Sequence, residues 1–571
     1  MKNFPRYATP AALLGAVFLF SPAPAQVTSS SLTVSNAGNV INTVGDITST
    51  LGGTTFVNHG LQGVGRVSAS SLDAFGDTLG SVSGLAITNW NTDGSSYNGV
   101  FNILPDRGYN AGNIFADYNA RINQLSFTFT PYTSLSNIGG ITTQQKVAAQ
   151  NQIQATYTGG VKFTYDTTSA TGLTTTGLNP AVGSAGVLTT AAFSNSLPMG
   201  ANGKLSLDSE ALVLKADGSG YIGDEYGSNI YHFDTNKKID AVLAVPAALQ
   251  PRANTAGNPP NYDAVNAPRD GRRNNQGFEG VSLSPDGQKL FVLAQSATVQ
   301  DSGSGNQGRL NTRMLVYDVS TNAVPAAPSA EYVMQLPILN DGTDGNSLVN
   351  PNRTAAQSEI IALDDHRVLV LSRDGNGANI QGSNGVTNVP PKFKSVLLVD
   401  LSIAGASDIL NLAGVNGAGE KITQSGTLLK SGITPVSWTE ALNLLNLADL
   451  NKFNIRTDNY STPDLLTLSE KWEGMSLVSA LDSNHPNDYF LFIANDNDFI
   501  TTDGHMLLSD GSTTFNATGG APGSWENDTL FLAYRVTITP NVIPEPSMYA
   551  AIFGTGVLGF AWFRRRRAAR V

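Results

Sequence analysis

Four glutamates return at the start of four short apolar runs. They are Glu210 in Asp208-Ser209-Glu210-Ala211-Leu212-Val213-Leu214, Glu279 in Gly277-Phe278-Glu279-Gly280-Val281-Ser282-Leu283, Glu359 in Gln357-Ser358-Glu359-Ile360-Ile361-Ala362-Leu363, and Glu473 in Trp472-Glu473-Gly474-Met475-Ser476-Leu477. In most copies the second apolar run ends in further charge: Asp224 and Glu225, Arg373 and Asp374, Asp496 and Asp498. A fifth copy, Val82-Ser83-Gly84-Leu85-Ala86-Ile87, has serine in the glutamate's place and leads to Asp106 and Arg107. Carboxylates gathered in one place repel one another and rise in pKa unless cations fill the site. Oxygen ligands in such number favour Ca²⁺ over zinc or copper. The metal set expected is therefore Glu210, Asp224, Glu225, Glu279, Glu359, Asp374, Glu473, Asp496 and Asp498, with Asp106 beside it. The competing reading is that each glutamate only caps its own hairpin through backbone hydrogen bonds.

Arg107 and Arg373 follow or precede an aspartate directly, and the planar guanidinium fork suits phosphate oxygens. With Glu279 they are the expected catalytic groups; a bracing ion pair explains the arginines equally well. Arg269, Arg272 and Arg273, in a Pro/Asn/Arg-rich loop over 245–275, form a candidate substrate clamp or a plain solvated loop. Other catalytic signatures are missing. No serine has glycine at both −2 and +2, and there is no Walker A motif or His-Glu-x-x-His. The five histidines have no ligand spacing, and Asp496-Asn497-Asp498 fails as an EF-hand loop because Ile500 stands at the third ligand position.

What positions these residues is a repeated hairpin. Ser284-Pro285-Asp286-Gly287 is a turn between Val281-Ser282-Leu283 and Lys289-Leu290-Phe291-Val292-Leu293, and Ala216-Asp217-Gly218 plays the same part earlier. The glutamates are 69, 80 and 114 residues apart. A four-stranded blade takes about 40–50 residues, so the spacing predicts an all-β chain: a β-propeller of six or seven blades with loop insertions. Inner strands of such blades line one central mouth, where the glutamates would meet. A β-sandwich array competes but does not explain the returning carboxylate. Residues 26–79 are expected to close the propeller and 80–540 to form it. Gln144 to Ala155 reads as a short helix, Thr156 to Val187 as an irregular insertion, and 403–465 as an apolar, partly helical insertion with helical spacing from Thr439 to Leu450.

The chain has 571 residues, 41% hydrophobic and 14% charged, a composition that folds. A net charge of −11 argues against nucleic acid as the main partner, and the absence of cysteine excludes disulfides and thiolate chemistry. Met1 to Ala25 has the basic start, short apolar run and small-residue cleavage site of a secretory signal. At the other end, Pro544-Glu545-Pro546, the apolar segment Met548 to Phe563 and Arg564-Arg565-Arg566-Arg567 make a distinct tail over 541–571. In that order they resemble the PEP-CTERM sorting signal. The resemblance implies a transmembrane helix, exosortase-type sorting machinery as partner, and export to the envelope, surface or exterior of a Gram-negative bacterium.

The repeated segments, taken together, resemble the phytase-like family (esterase-like activity of phytase). The matching pieces are Ser83-Gly84-Leu85-Ala86 with Pro105-Asp106-Arg107-Gly108, Ser209-Glu210-Ala211-Leu212 with Gly223-Asp224-Glu225-Tyr226-Gly227, Gly277-Phe278-Glu279-Gly280 with Ser284-Pro285-Asp286-Gly287, Ser358-Glu359-Ile360, and Glu473-Gly474 with Asn495-Asp496-Asn497-Asp498-Phe499. The resemblance implies a propeller-like fold and a calcium-dependent hydrolase of phosphate esters. Two alternatives stand beside it: a non-catalytic, calcium-stiffened surface or matrix propeller, and a carboxylic esterase, which lacks a visible nucleophile.

Overall fold

This computed structural model describes residues 33–34 and 39–540, apart from 166–171, 191–192, 304–305, 340–352, 379–389, 404, 461 and 519–524. The secretory signal and the C-terminal tail lie outside the described residues. No helix among the described residues is long and apolar enough to cross a membrane.

Twenty strands make five four-stranded antiparallel units. The chain enters through β1 (Thr54–Val67). The first unit is β2 (Gly84–Thr92), β3 (Tyr97–Leu104), β4 (Arg121–Phe129) and β5 (Ile153–Lys162). The second is β6 (Ser209–Leu214), β7 (Gly220–Asp224), β8 (Asn229–Phe233) and β9 (Ile239–Val242). The third is β10 (Phe278–Leu283), β11 (Lys289–Ala294), β12 (Asn311–Asp318) and β13 (Ala330–Gln335). The fourth is β14 (Ala356–Ala362), β15 (Arg367–Arg373), β16 (Lys394–Asp400) and β17 (Ser437–Asn443). The fifth is β18 (Lys471–Ser479), β19 (Asp488–Asp496) and β20 (Thr529–Thr539), completed by β1. The register of β1 on β20 runs from Thr55 opposite Thr539 to Val67 opposite Thr529, so the two ends of the described chain share one sheet. A single parallel pairing, Gly65 with Ile153, links this sheet to the first.

The arrangement is mostly β and propeller-like. Inner strands β2, β6, β10, β14 and β18 each contact the next, and β18 returns to β2. No sheet closes on itself; packing between sheets closes the ring. Phe101, Phe127, Phe490, Phe492 and Phe531 form the seam between fifth and first, with the Phe101 and Phe531 rings stacked at 4.4 Å. Strands β15 and β16 are buried along their whole length, which is why their sequences are unbroken apolar runs rather than alternating ones. The Pro285-Asp286-Gly287 turn forms as its chemistry requires: Gly287 takes φ +74° and donates to Ser284 O at 2.8 Å.

Five units stand where the repeat spacing predicts six or seven blades. The extra length lies in excursions: among the described residues, 163–208 supplies only short two-stranded ribbons, and 401–436 only two- and three-residue strands. Two helix readings also change. Thr143–Ala149 is a helix with a Thr142/Gln145 capping box, but the chain is a strand again from Ile153. Most of Thr439 to Leu450 is strand β17 and the connection after it; only Leu447–Lys452 is helical. Its apolar spacing fits either state, and the open edge of β16 decides for the strand.

Candidate active site

The glutamates owe their position to a β-bulge repeated at the start of the inner strand in the second to fifth units. In the second unit Ser209 pairs with Asp224 and Ala211 with Gly223, so Glu210 is the extra, unpaired residue. The same step leaves Glu279 unpaired between Phe278 and Gly280, and Glu473 between Trp472 and Gly474. In the fourth unit the residue left out, between Gln357 and Glu359, is Ser358. Glu359 is therefore one place out of step with the other glutamates, at the position that Ala211, Gly280 and Gly474 occupy. Its carboxylate accepts from the backbone N–H of Ile360 at 2.8 Å and from that of Val281 next door. It does not line the cavity.

The bulges converge on one cavity of about 580 Å³. Of the residues expected from sequence, it is lined by Arg107, Glu210, Glu225, Glu279, Arg373, Glu473 and Asp498, together with Asp106. Asp496 lies just behind Lys471, whose Nζ is 2.8 Å from Asp496 Oδ2 and 2.6 Å from Asp498 Oδ1. Asp224 turns away and accepts from the N–H groups of Asp208 at 3.1 Å and Gly227 at 2.8 Å, which shapes the turn after β7. Asp374 is occupied by the N–H of Phe393 at 3.1 Å and by Lys394 Nζ at 3.1 Å.

The arginine-rich loop does not reach the cavity either. Arg269 pairs with Asp270 at 2.6 Å. Buried Arg272 donates to the carbonyls of Tyr226 at 2.8 Å and Tyr262 at 3.0 Å, and Arg273 to Ser302 Oγ at 3.0 Å. Arg272 ties a long, irregular segment to the turn after β7 by satisfying carbonyls, while Arg269 and Arg273 are taken by side chains.

Several lining residues escape the sequence reading: Asp208, Lys471, Asn275 and Gln295. Asp208 and Lys471 each stand two residues before a bulge glutamate, the one signal that could have found them. The carboxylate oxygens of Asp106, Asp208 and Glu210, all buried, lie within 4.8 Å of one another. Asp208 also receives Arg107 Nη1 at 2.7 Å, and Arg107 reaches Asn275. Across the cavity, Arg373 pairs with Glu473 and donates through Nε to Ser358 Oγ at 3.0 Å. Glu279 accepts from Gln295, while its Oε2 and Glu225 Oε1 are buried without a hydrogen-bond partner among the described residues.

Electrostatics follow from this crowding. Burial, then Asp496 and Asp208, pushes Asp106 well up; burial, then Asp208 and Glu225, does the same to Glu210. Burial and Asp208 raise Glu225 to about 8. Burial and Glu473 lift Glu279. Burial raises Asp498 to about 7 although Lys471 opposes it, whereas in Asp496 the Lys471 charge helps to overcome burial and holds the pKa down. Seven lining carboxylates face three cationic groups, an excess of four negative charges when all are ionised.

Comparison with known proteins agrees with this picture at the level of family. Residues 77–499 match the phytase-like family model, described as the esterase-like activity of phytase, and residues 542–567 match the PEP-CTERM protein-sorting motif. An uncharacterized secreted protein of Arthroderma benhamiae is 33% identical over 493 residues, covering 79% of this chain and 89% of its own. Among solved structures, an α-L-arabinofuranosidase from Podospora anserina aligns at 9% identity over 83% of this chain and 96% of its own. A GH43 β-1,3-galactosidase does so at 9% identity over 78% and 97%. Both have a TM-score of 0.28, too low to carry an argument. The sorting motif and the secreted relative support export to the cell surface. With three-quarters of its length matched, and with the bulge glutamates inside the match, the chain belongs to the phytase-like family.

Proposed function

We propose that this protein is an exported, calcium-dependent hydrolase of phosphate esters that works in the five-sheet cavity. The observation that carries the reading is the buried, all-oxygen group of Asp106, Asp208 and Glu210 inside a cavity lined by four more carboxyl groups than cations. Hard oxygen donors with excess charge fit Ca²⁺, and the orphaned oxygen of Glu225 is a further donor of the same kind. Bound there, the cation would polarise the phosphoryl group and make water more acidic.

The chain's own residues supply the rest. Arg107, fixed by Asp208 and Asn275, and Arg373, fixed by Glu473 and Ser358, present charge to the equatorial phosphate oxygens. Glu279 has one oxygen held by Gln295 and one uncommitted; its raised pKa suits a group that takes a proton from water and returns it to the leaving alcohol. Water adds to phosphorus as the P–O bond to the alcohol breaks, giving phosphate and free alcohol, with no protein nucleophile required.

The test is hydrolysis of a phosphomonoester and of phytate, with Ca²⁺ and with a chelator, by the wild type and Glu279→Gln. Calcium-dependent turnover that falls at least about 100-fold in the variant supports the reading. Turnover that is unaffected by chelator sinks it. A second reading, a non-catalytic calcium-stabilised surface protein, is favoured by one fact: each lining cation is already paired with a carboxylate. It predicts no turnover together with a calcium-dependent melting temperature.

A further inference from the structure

The cavity has two unlike halves. Its floor, at the bulges, is ionic. Its outer wall comes from 108–113 and 516–517 and contains neither acid nor base: Tyr109, Asn110, Asn113 and Asn516 with glycine and alanine between them. The wall is built as one piece from two excursions, one following β3 and one preceding β20. The short hairpin Asn110–Ala111/Ile114–Phe115 meets the hairpin Gly504–His505/Thr514–Phe515. Tyr109 and Phe515 stack at 4.1 Å and 11°. Asp117 N donates to Leu507 O at 2.7 Å and Ser509 N to Phe115 O at 2.8 Å. Beneath them Ala116, Tyr118, Phe499, Met506 and Leu508 form a buried cluster. The stack and the backbone bonds between the two hairpins fix Tyr109 and the backbone of this wall.

We propose that the ester accepted here carries a polyhydroxylated organic group, a sugar or cyclitol with free hydroxyls, seated on this neutral wall. The inference rests on reading the floor as a phosphate-ester site. A hydroxyl both donates and accepts, and a carboxamide offers both. Asn516 commits its oxygen to Thr518 N at 3.0 Å and Thr518 Oγ1 at 2.6 Å, and Asn275 commits its oxygen to Arg107. The NH₂ group of each is the end turned over to a ligand, and Tyr109 adds an aromatic face and a hydroxyl. A second phosphate on the organic group finds no arginine or lysine there, and no carboxylate that could hold a bridging cation. The wall thus selects a monoester over a polyphosphorylated ring.

The experiment measures kcat/KM of the full-length chain with Ca²⁺ for three esters: glucose 6-phosphate, cyclohexylmethyl phosphate and inositol hexakisphosphate. The second is a primary ester of like ring size without hydroxyls. The expected result is glucose 6-phosphate ahead of both by at least about tenfold. The Asn110→Ala/Asn516→Ala double variant should lose most of the advantage over cyclohexylmethyl phosphate, whose own turnover reports whether the variant is folded. Equal or better turnover of either comparator by the wild type overturns the proposal. If no ester is hydrolysed, the hydrolase reading fails by itself, and calorimetric binding decides this one. Binding of glucose 6-phosphate weakened by the double variant upholds the wall; no binding, or tighter binding of the hexakisphosphate, refutes it.

Discussion

A glutamate at a β-bulge and a glutamate one residue further on differ in a single register step, and that step separates cavity from sheet interior. Glu210 is the unpaired residue of its bulge and joins Asp106 and Asp208; Glu359 is paired in its strand and satisfied by backbone N–H groups. Glu210→Gln removes one charged oxygen ligand and is expected to weaken calcium binding about 10–100-fold, whereas Glu359→Gln leaves calcium affinity near wild type. Isothermal titration of both variants with Ca²⁺ distinguishes them, and equal losses would mean that the bulge does not define the site. Only the types were legible at this scale. The repeat of apolar runs placed a carboxylate near the start of each inner strand, but a bulge shifts register by one and leaves no mark in composition. The Asp208 and Lys471 side chains, two places earlier, were hidden for the same reason.

At the scale of the strand, the residue after the bulge is small in three of the four bulged units, Ala211, Gly280 and Gly474. Gly84 opens the first inner strand, where it lies close to the second. A Cβ on Gly84 would lie 2.9 Å from the backbone N of Leu212, an atom that cannot yield without moving β6. Gly84→Ala is expected to destabilise by roughly 1–3 kcal/mol. Denaturant unfolding measures it, and a change within error would show that the first and second sheets can separate without cost. Because β6 carries Glu210 and follows directly on Asp208, the same variant should loosen the calcium binding proposed for the cavity. The turn signals at this scale were readable, Pro285-Asp286-Gly287 above all, since turn chemistry is local. The outer strand β17 was not, because pairing with β16 overrides a helical spacing of apolar residues.

For the molecule as a whole, the cavity stores repulsion that a cation would relieve. The carboxyls of Asp498 and Glu225, raised by burial to about 7 and about 8, hold protons more tightly folded than unfolded. Their contribution to stability is therefore complete below the ordinary carboxylate range, near pH 4, and is lost as pH rises through about 7 and 8. Calcium favours the ionised forms and should cancel that loss. Melting temperatures in calcium and in chelator are expected to coincide near pH 5 and to separate by a few degrees at pH 9. Curves that stay parallel across this range would remove the cavity as the calcium site.

By itself, the sequence determined the all-β class, the repeated hairpins, the family and the C-terminal sorting motif, because each rests on local patterning: apolar period, turn residues, and short motifs read in order. It also excluded thiols, since the chain has no cysteine, and showed the repeat of carboxylates and arginines on which the proposed chemistry rests. Only the tertiary structure decided how many sheets there are, since excursions and sheets draw on the same residues. It alone decided that β1 completes the fifth sheet and that the arginines of the 245–275 loop are spent on structural partners away from the cavity. Which carboxylates meet was decided there too: convergence on one mouth depends on four bulges and five packed interfaces acting together, and no single segment of the chain contains that information.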